Sequence, residues 1–245
     1  MGRYSCVFFD LDHTLIDTLG QYHKGLAIAL HQLYGNQVSS DEFERHFMNH
    51  HDKLWARYDK REITMTELRR NRFLLAWKEL GVERTIEEAD KFHSTYDATF
   101  ENTLEPFPGT LELMDTLAGE YRLGAITNGS PDLQWRKVCI TGLNKYFREE
   151  DIIISERVGK AKPHPSVYEA ACRAFRVDKE NAVMIGDNFL SDVQGAREFG
   201  MDALWYVPDD DILLKQEQYV ERETPLRTAP EVQEAIRGLE HDHEH

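Results

Sequence analysis

Cysteine is scarce in these 245 residues: only Cys6, Cys139 and Cys172. None forms a C-x-x-C pair and the count is odd. That disfavours a disulfide scaffold and fits a reducing compartment, so a cytoplasmic protein is expected. Basic residues are outnumbered, 29 Lys and Arg against 44 Asp and Glu, for a formal charge of −15. A nucleic-acid binder usually presents a basic face, so polymeric nucleic acid is excluded as a partner. No apolar run approaches the roughly 18 residues of a membrane span. The first residues also lack the basic-then-apolar order of a secretory signal, so no membrane association is expected. The G-x-x-x-x-G-K-[ST] loop of ATP-using enzymes is missing, so a bound nucleotide would be substrate rather than energy source. A small anionic substrate stays open, because a divalent cation can reverse the local sign.

What is present suits a sizeable core: 41% hydrophobic and 11% aromatic residues. Strand-length apolar runs occur at Tyr4–Phe9, Arg122–Thr127, Asp151–Ser155, Ala182–Ile185 and Ala203–Val207. None alternates strictly, which suggests strands buried on both faces of a parallel sheet. Helical patterns fall between them. One opens at Pro108-Gly109-Thr110, with Leu111, Met114 and Leu117 spaced by three; another opens at Pro165 and runs through Tyr168, Ala171, Cys172 and Phe175. Strands alternating with helices predict an α/β fold, a doubly wound and mostly parallel sheet with helices on both faces.

Residues 17–103 break this rhythm. They are rich in charge and aromatics and read as helical throughout. Thr64–Glu67 and Thr85–Glu88 fit capping boxes, and Gly81 stands where a helix should end. The expected organisation is therefore a core of residues 1–16 and 104–245 with a helical insert at 17–103. The last twenty residues are polar and end in His241-Asp242-His243-Glu244-His245; these tail histidines could bind a stray transition metal, but a frayed, solvated terminus is the better reading.

Four elements carry chemistry. Phe8-Phe9-Asp10-Leu11-Asp12-His13-Thr14 places two acids two residues apart directly after a strand. Ligands of doubly wound sheets bind beyond the carboxyl ends of strands. There, one carboxylate can attack as a nucleophile while the other moves protons. Gly186-Asp187, with Asp192 five residues on, ends a second apolar run. Asp10 and Asp187 together offer hard oxygen ligands suited to Mg²⁺. Two such acidic tips would repel unless a cation sat between them. Ala125-Ile126-Thr127-Asn128-Gly129 can turn a hydroxyl and amides towards a phosphate. In Gly159-Lys160-Ala161-Lys162-Pro163, a lysine can neutralise a transferring phosphoryl group. Lys160 and Lys162 compete, and Pro163 favours Lys162 by holding it extended.

In this order the four elements resemble the haloacid dehalogenase (HAD) superfamily, from Phe8 to about Ala203. The resemblance implies a Rossmann-like core with an all-helical cap, and Mg²⁺ as cofactor. It implies Asp10 as nucleophile, Asp12 as acid/base, and Thr127, Asn128 and Lys162 as phosphate-binding residues. Metal ligands would be Asp10, the Asp12 carbonyl and Asp187, with Asp192 supporting Lys162 or metal-bound water. The second acid is absent from the dehalogenating branch, so Asp12 points to phosphoryl transfer. His13 departs from the commoner Gly or Glu. Within the family, Leu54-Trp55-Ala56-Arg57-Tyr58, Ile63-Thr64 and Arg72-Phe73 are similar to the house-cleaning pyrimidine 5′-nucleotidases. That implies nucleoside monophosphates as substrates, with Trp55, Arg57 and Arg72 as cap contacts. The small phosphorylated substrate would be met by a monomer or small homo-oligomer. A sugar-phosphate phosphatase or mutase, a phosphoglycolate-type phosphatase and a non-catalytic binding protein are the alternatives.

Overall fold

A computed structural model describes residues 2–241. The chain divides into two compact units, one formed by Met1–Asp17 with Glu105–His245 and the other by Thr18–Leu104.

The first unit is built on one five-stranded sheet: β1 Cys6–Phe9, β2 Arg122–Thr127, β3 Ile152–Ile154, β4 Ala182–Gly186 and β5 Asp202–Trp205. Its order is β3-β2-β1-β4-β5, and all neighbours are parallel. Val7, Phe8 and Phe9 are fully buried, as are Val183, Met184 and Ile185. The unbroken apolar runs therefore mean what they suggested: strands covered on both faces. The chain leaves β1 towards β2 on one side and later returns to β4 on the other. That reversal makes the carboxyl ends of β1 and β4 the place where a crevice opens.

Edges differ by a residue or two for local reasons. Asp151 is not in β3, because its carboxylate accepts the Arg148 N–H (3.0 Å) and closes a turn before the strand. In the helix Thr110–Ala118, Met114 and Leu117 are buried as expected, but Leu111 is 36% exposed and Leu113 takes its place in the core. The 3.6-residue period favours Leu113 beside Leu117. The polar C-terminal stretch is more ordered than its composition suggests. Residues Ala229–His241 form a helix that buries Ala229, Val232 and Ile236 and packs on Thr110–Ala118. Only one apolar stripe was needed, and its sparse spacing hid it among charges. The rest of the histidine-rich tail, Asp242–His245, lies outside the described residues.

The second unit is helical: Thr18–Tyr34, Ser40–Asp59, Met65–Glu79, Ile86–Asp97 and a short turn at Phe100–Thr103. Thr64 and Thr85 each cap a helix reciprocally with Glu67 and Glu88. Gly81 follows Leu80 at φ 75°. Phe43, Phe47, Phe73, Trp77, Phe92 and Tyr96 are all at most 3% exposed and pack as a chain of rings, such as Phe73–Phe92 at 4.9 Å. Each such ring stabilises the unit by about 1.5–3 kcal/mol relative to exposure.

Candidate active site

The parallel register sets the site. Phe9 lies level with Ala125 in β2 and Ile185 in β4. One step further brings Asp10 level with Ile126 and Gly186; two steps bring Thr127 and Asp187 to the same edge. The Asp10 N–H donates to the Ile185 carbonyl (2.9 Å), so pairing runs one residue past β1 and fixes where its side chain leaves the sheet.

The chain then turns sharply. The N–H groups of Leu15 and Ile16 both reach the Leu11 carbonyl at 3.0 Å, and His13 sits at φ 65°. Glycine is the usual solution for that backbone region. The His13 Nδ1 is buried without a partner among the described residues, and burial lowers the ring's pKa. The turn aims Thr14 back at β4. Its hydroxyl donates to Asp187 Oδ1 (2.8 Å) and accepts the Asp187 N–H (3.0 Å). The Asp187 carbonyl is held in turn by Trp205 Nε1 (2.8 Å) and Gln216 Nε2 (2.9 Å).

Lys162 is 4% exposed, whereas Lys160 is exposed, so burial separates the two candidates. The Lys162 ammonium donates to the Ile126 carbonyl (2.7 Å) and Asp192 Oδ1 (2.6 Å) and lies 3.2 Å from Asp10 Oδ1. Its three donors thus have three acceptors. Asn128 grips the lysine's backbone from both sides, accepting its N–H (2.9 Å) and donating to its carbonyl (3.2 Å). Asp192 also accepts the Asn188 N–H through Oδ2 (2.9 Å). It approaches so closely that a Cβ on Gly186 would lie 2.3 Å from its carboxyl carbon.

Asp10, Asp187 and Asp192 offer carboxylate oxygens that all lie within 4.8 Å of one another. One ammonium faces three acids. Burial pushes the Asp10 carboxyl up to about 7, while Lys162 pulls the other way. Burial, then Asp10 and Asp192, raise Asp187 well above the carboxylate range. Burial also opposes the charged form of Lys162, but Asp10 and Asp192 outweigh it and raise its pKa. Excess negative charge on hard oxygens is the donor set a small divalent cation requires.

Asp12 is held by groups the motifs did not reveal. Lys137 Nζ donates to its Oδ1 (2.8 Å) and Gln134 Nε2 to its Oδ2 (3.0 Å). The same Nε2 reaches Thr127 Oγ1 (2.7 Å), which also accepts the Gly129 N–H (2.9 Å). Thr127 Oγ1 thus accepts twice, and its own proton is left to donate. Both residues lie on the helix Gln134–Ile140 just after the Thr127 loop. The spacing of three was the available signal, but a polar pair at a helix start usually faces solvent.

The expected helical-unit residues occupy three different settings. Arg57 is exposed and pairs with Glu62 at 3.4 Å. Trp55 is half-buried and meets Tyr58 edge-on at 5.4 Å. Arg72 is 5% exposed and donates to Tyr22 Oη (3.0 Å).

Comparison with known proteins fits this geometry. The haloacid dehalogenase-like hydrolase family matches residues 7–206. The glyceraldehyde 3-phosphate phosphatase of Pyrococcus abyssi is 32% identical over 214 residues, 82% of this chain and 80% of that protein. The pyrimidine 5′-nucleotidase PynA of Streptococcus pneumoniae is 30% identical over 209 residues, 84% of each chain. The structure of the HAD-hydrolase YfnB from Bacillus subtilis, bound to magnesium, shares the fold: TM-score 0.73 at 24% identity, covering 86% of this chain and 92% of that one. With a family match that spans all of the sheet but its first residue and every acid of the site, the chain belongs to the haloacid dehalogenase-like hydrolases.

Proposed function

We propose that the protein is a Mg²⁺-dependent phosphatase that hydrolyses small phosphate monoesters through an aspartyl-phosphate on Asp10. One observation carries the reading: Asp10, Asp187 and Asp192 converge at the carboxyl ends of β1 and β4, two of them paired with the single ammonium of Lys162, with Asp12 and a free hydroxyl proton on Thr127 beside them.

Asp10 attacks phosphorus through a carboxylate oxygen; the new O–P bond forms as the bond to the leaving oxygen breaks. Asp12 gives that oxygen its proton. Asp12 then takes a proton from water, whose oxygen attacks phosphorus and breaks the Asp10–phosphorus bond. Phosphate leaves, Asp10 is a carboxylate again, and Asp12 carries the proton it needs for the next turnover. Lys162 and Thr127 meet the charge on the phosphoryl oxygens, Asn128 holds Lys162 in place, and Asp192 aims the ammonium. Asp10, Asp187 and the Asp12 carbonyl would hold Mg²⁺, which would supply Lewis-acid neutralisation of the phosphoryl charge.

Nucleoside 5′-monophosphates are the proposed substrates, supported by the motif resemblance and by PynA at 30% identity. A second reading, a phosphorylated triose or sugar, is favoured by the Pyrococcus phosphatase at 32%. A hydrolysis screen with Mg²⁺ across nucleoside monophosphates, glyceraldehyde 3-phosphate, hexose phosphates and phosphoglycolate tests both. Asp10→Asn should abolish turnover on every substrate. A variant that kept a tenth of wild-type activity, with deamidation excluded, would remove Asp10 as nucleophile.

A further inference from the structure

Asp12 has to hand a proton to one oxygen and later collect one from another, yet a free aspartate rotates about its last torsion. Here it is anchored at both oxygens. Lys137 takes Oδ1 at 2.8 Å and Gln134 takes Oδ2 at 3.0 Å. The two donors stand one helical turn apart, at i and i+3, so a single rigid element carries both. Lys137 and Asp12 side chains are only 11% and 20% exposed, so solvent screens the pair less than a surface ion pair.

Gln134 adds a second link. It is fully buried, and its Nε2 joins Asp12 to Thr127 Oγ1 at 2.7 Å. An amide placed between them fixes the spacing of the proton-transfer group and the phosphate-holding hydroxyl. Gly129 leaves room for it: a Cβ there would lie 2.1 Å from that Nε2. With the amide fully buried, it has nowhere cheap to move.

We infer that Gln134 and Lys137 are positioning residues that clamp Asp12 in its proton-transfer geometry, and that Gly129 is bare to admit the clamp. The inference rests on the phosphatase reading. It deepens that reading by adding two residues that touch neither phosphorus nor metal. Loose orientation at a reacting group costs rate out of proportion to the displacement.

The test separates positioning of an acid from general damage. An alkyl phosphate such as glycerol 3-phosphate needs its leaving oxygen protonated; p-nitrophenyl phosphate barely does. The quantity to compare is kcat/KM, which covers the steps up to departure of the leaving group. Lys137→Ala and Gln134→Leu should lose about tenfold or more on the alkyl ester, a part of the 10²–10⁴ that acid–base help supplies. On the aryl ester they should lose less than about threefold. Lys137→Arg, which keeps a donor in reach, should recover most of the alkyl activity. Gly129→Ala should reproduce the Gln134→Leu pattern, which provides an independent route if one variant folds poorly. Circular dichroism and urea midpoints identify such a variant. Equal losses on both esters, no loss on either, or failure of Lys137→Arg to recover would overturn the inference while the phosphatase reading stands. A wild-type protein that cleaves neither ester overturns the phosphatase reading, and the clamp with it.

Discussion

The carboxyl end of the sheet and the interior of the helical unit both hold charge away from water, by opposite means. At the sheet, Asp10 and Asp192 share one ammonium with Asp187 beside them, and burial raises both Asp10 and Asp187. In the helical unit Arg72 is the buried charge. It donates to Tyr22 Oη and His51 Nδ1 (3.1 Å) and lies 4.7 Å from the centre of the Phe47 ring. Because arginine only donates, His51 must accept at Nδ1 and carry its proton on Nε2. No carboxylate among the described residues forms an ion pair with Arg72. The helical unit therefore offsets its charge internally, with ring faces and neutral acceptors. The sheet end keeps more acids than ammonium groups, an excess that a proton or a bound cation would remove. One region is built for its own stability; the other is tuned to what it binds.

The comparison breaks hardest in the aromatic interior. Phe43 is 0% exposed and lies against Phe47, Phe73, Trp77 and Phe92. Phe43→Ala should cost about 3–5 kcal/mol in urea unfolding, the usual range for emptying such a site. Its response to Mg²⁺ should be unchanged. The sheet end should behave in reverse. Mg²⁺ should stabilise the wild-type protein by about 2.7 kcal/mol at a hundred times its dissociation constant. Asp187→Asn should abolish that gain and, in chelator, leave the protein more stable than wild type by on the order of 1 kcal/mol. The asparagine Oδ1 can still accept the Thr14 hydroxyl, so only charge is lost. A destabilised Asp187→Asn protein in chelator would show that the acids are not in excess.

The same asymmetry has a pH signature. Burial, against the pull of Lys162, raises the Asp10 carboxyl from 3.8 to about 7. Between those values the folded protein keeps a proton that the unfolded chain has released. Folding is thus favoured by this group at low pH, and the contribution is lost as pH rises towards about 7. Urea midpoints in chelator should fall across that window and level off above it. Asp10→Asn should flatten the slope, as should saturating Mg²⁺, while Phe43→Ala should keep it. A slope that survives Asp10→Asn would assign the titration to another group.

The two regions also differ in how far they could be read from residues alone. Strands were legible because burial on both faces leaves unbroken apolar runs; Arg122–Thr127 matches β2 end to end. Asp10 and Asp187 were legible because each ends such a run. Thr14, Gln134, Lys137 and Gln216 were not read as site residues. Their partners lie far along the chain, 173 residues for Thr14 and Asp187, 125 for Lys137 and Asp12. Only the parallel register of β1, β2 and β4 brings them together, and no local pattern encodes that. In the helical unit the caps were legible, being reciprocal bonds within three residues. The fate of each aromatic was not, because helical spacing tells which face a ring takes but not what covers it.

The smallest expected effect tests the local side of that contrast. Thr85 accepts the Glu88 N–H at 3.2 Å, and Glu88 accepts the Thr85 N–H at 2.8 Å, at the start of Ile86–Asp97. Thr85→Ala removes one of these bonds and leaves an N–H at the helix start to water. It should cost about 1 kcal/mol in urea unfolding, within the 0.5–2 kcal/mol found for lost caps. Because the cap is three residues long and far in sequence from every acid of the site, the loss should be the same in chelator and in Mg²⁺. It should also add to that of Asp187→Asn in the double variant. A cap loss that changed with Mg²⁺ would mean that the helical unit senses the charge state of the sheet end. The division between a self-sufficient interior and a ligand-dependent site would then fail.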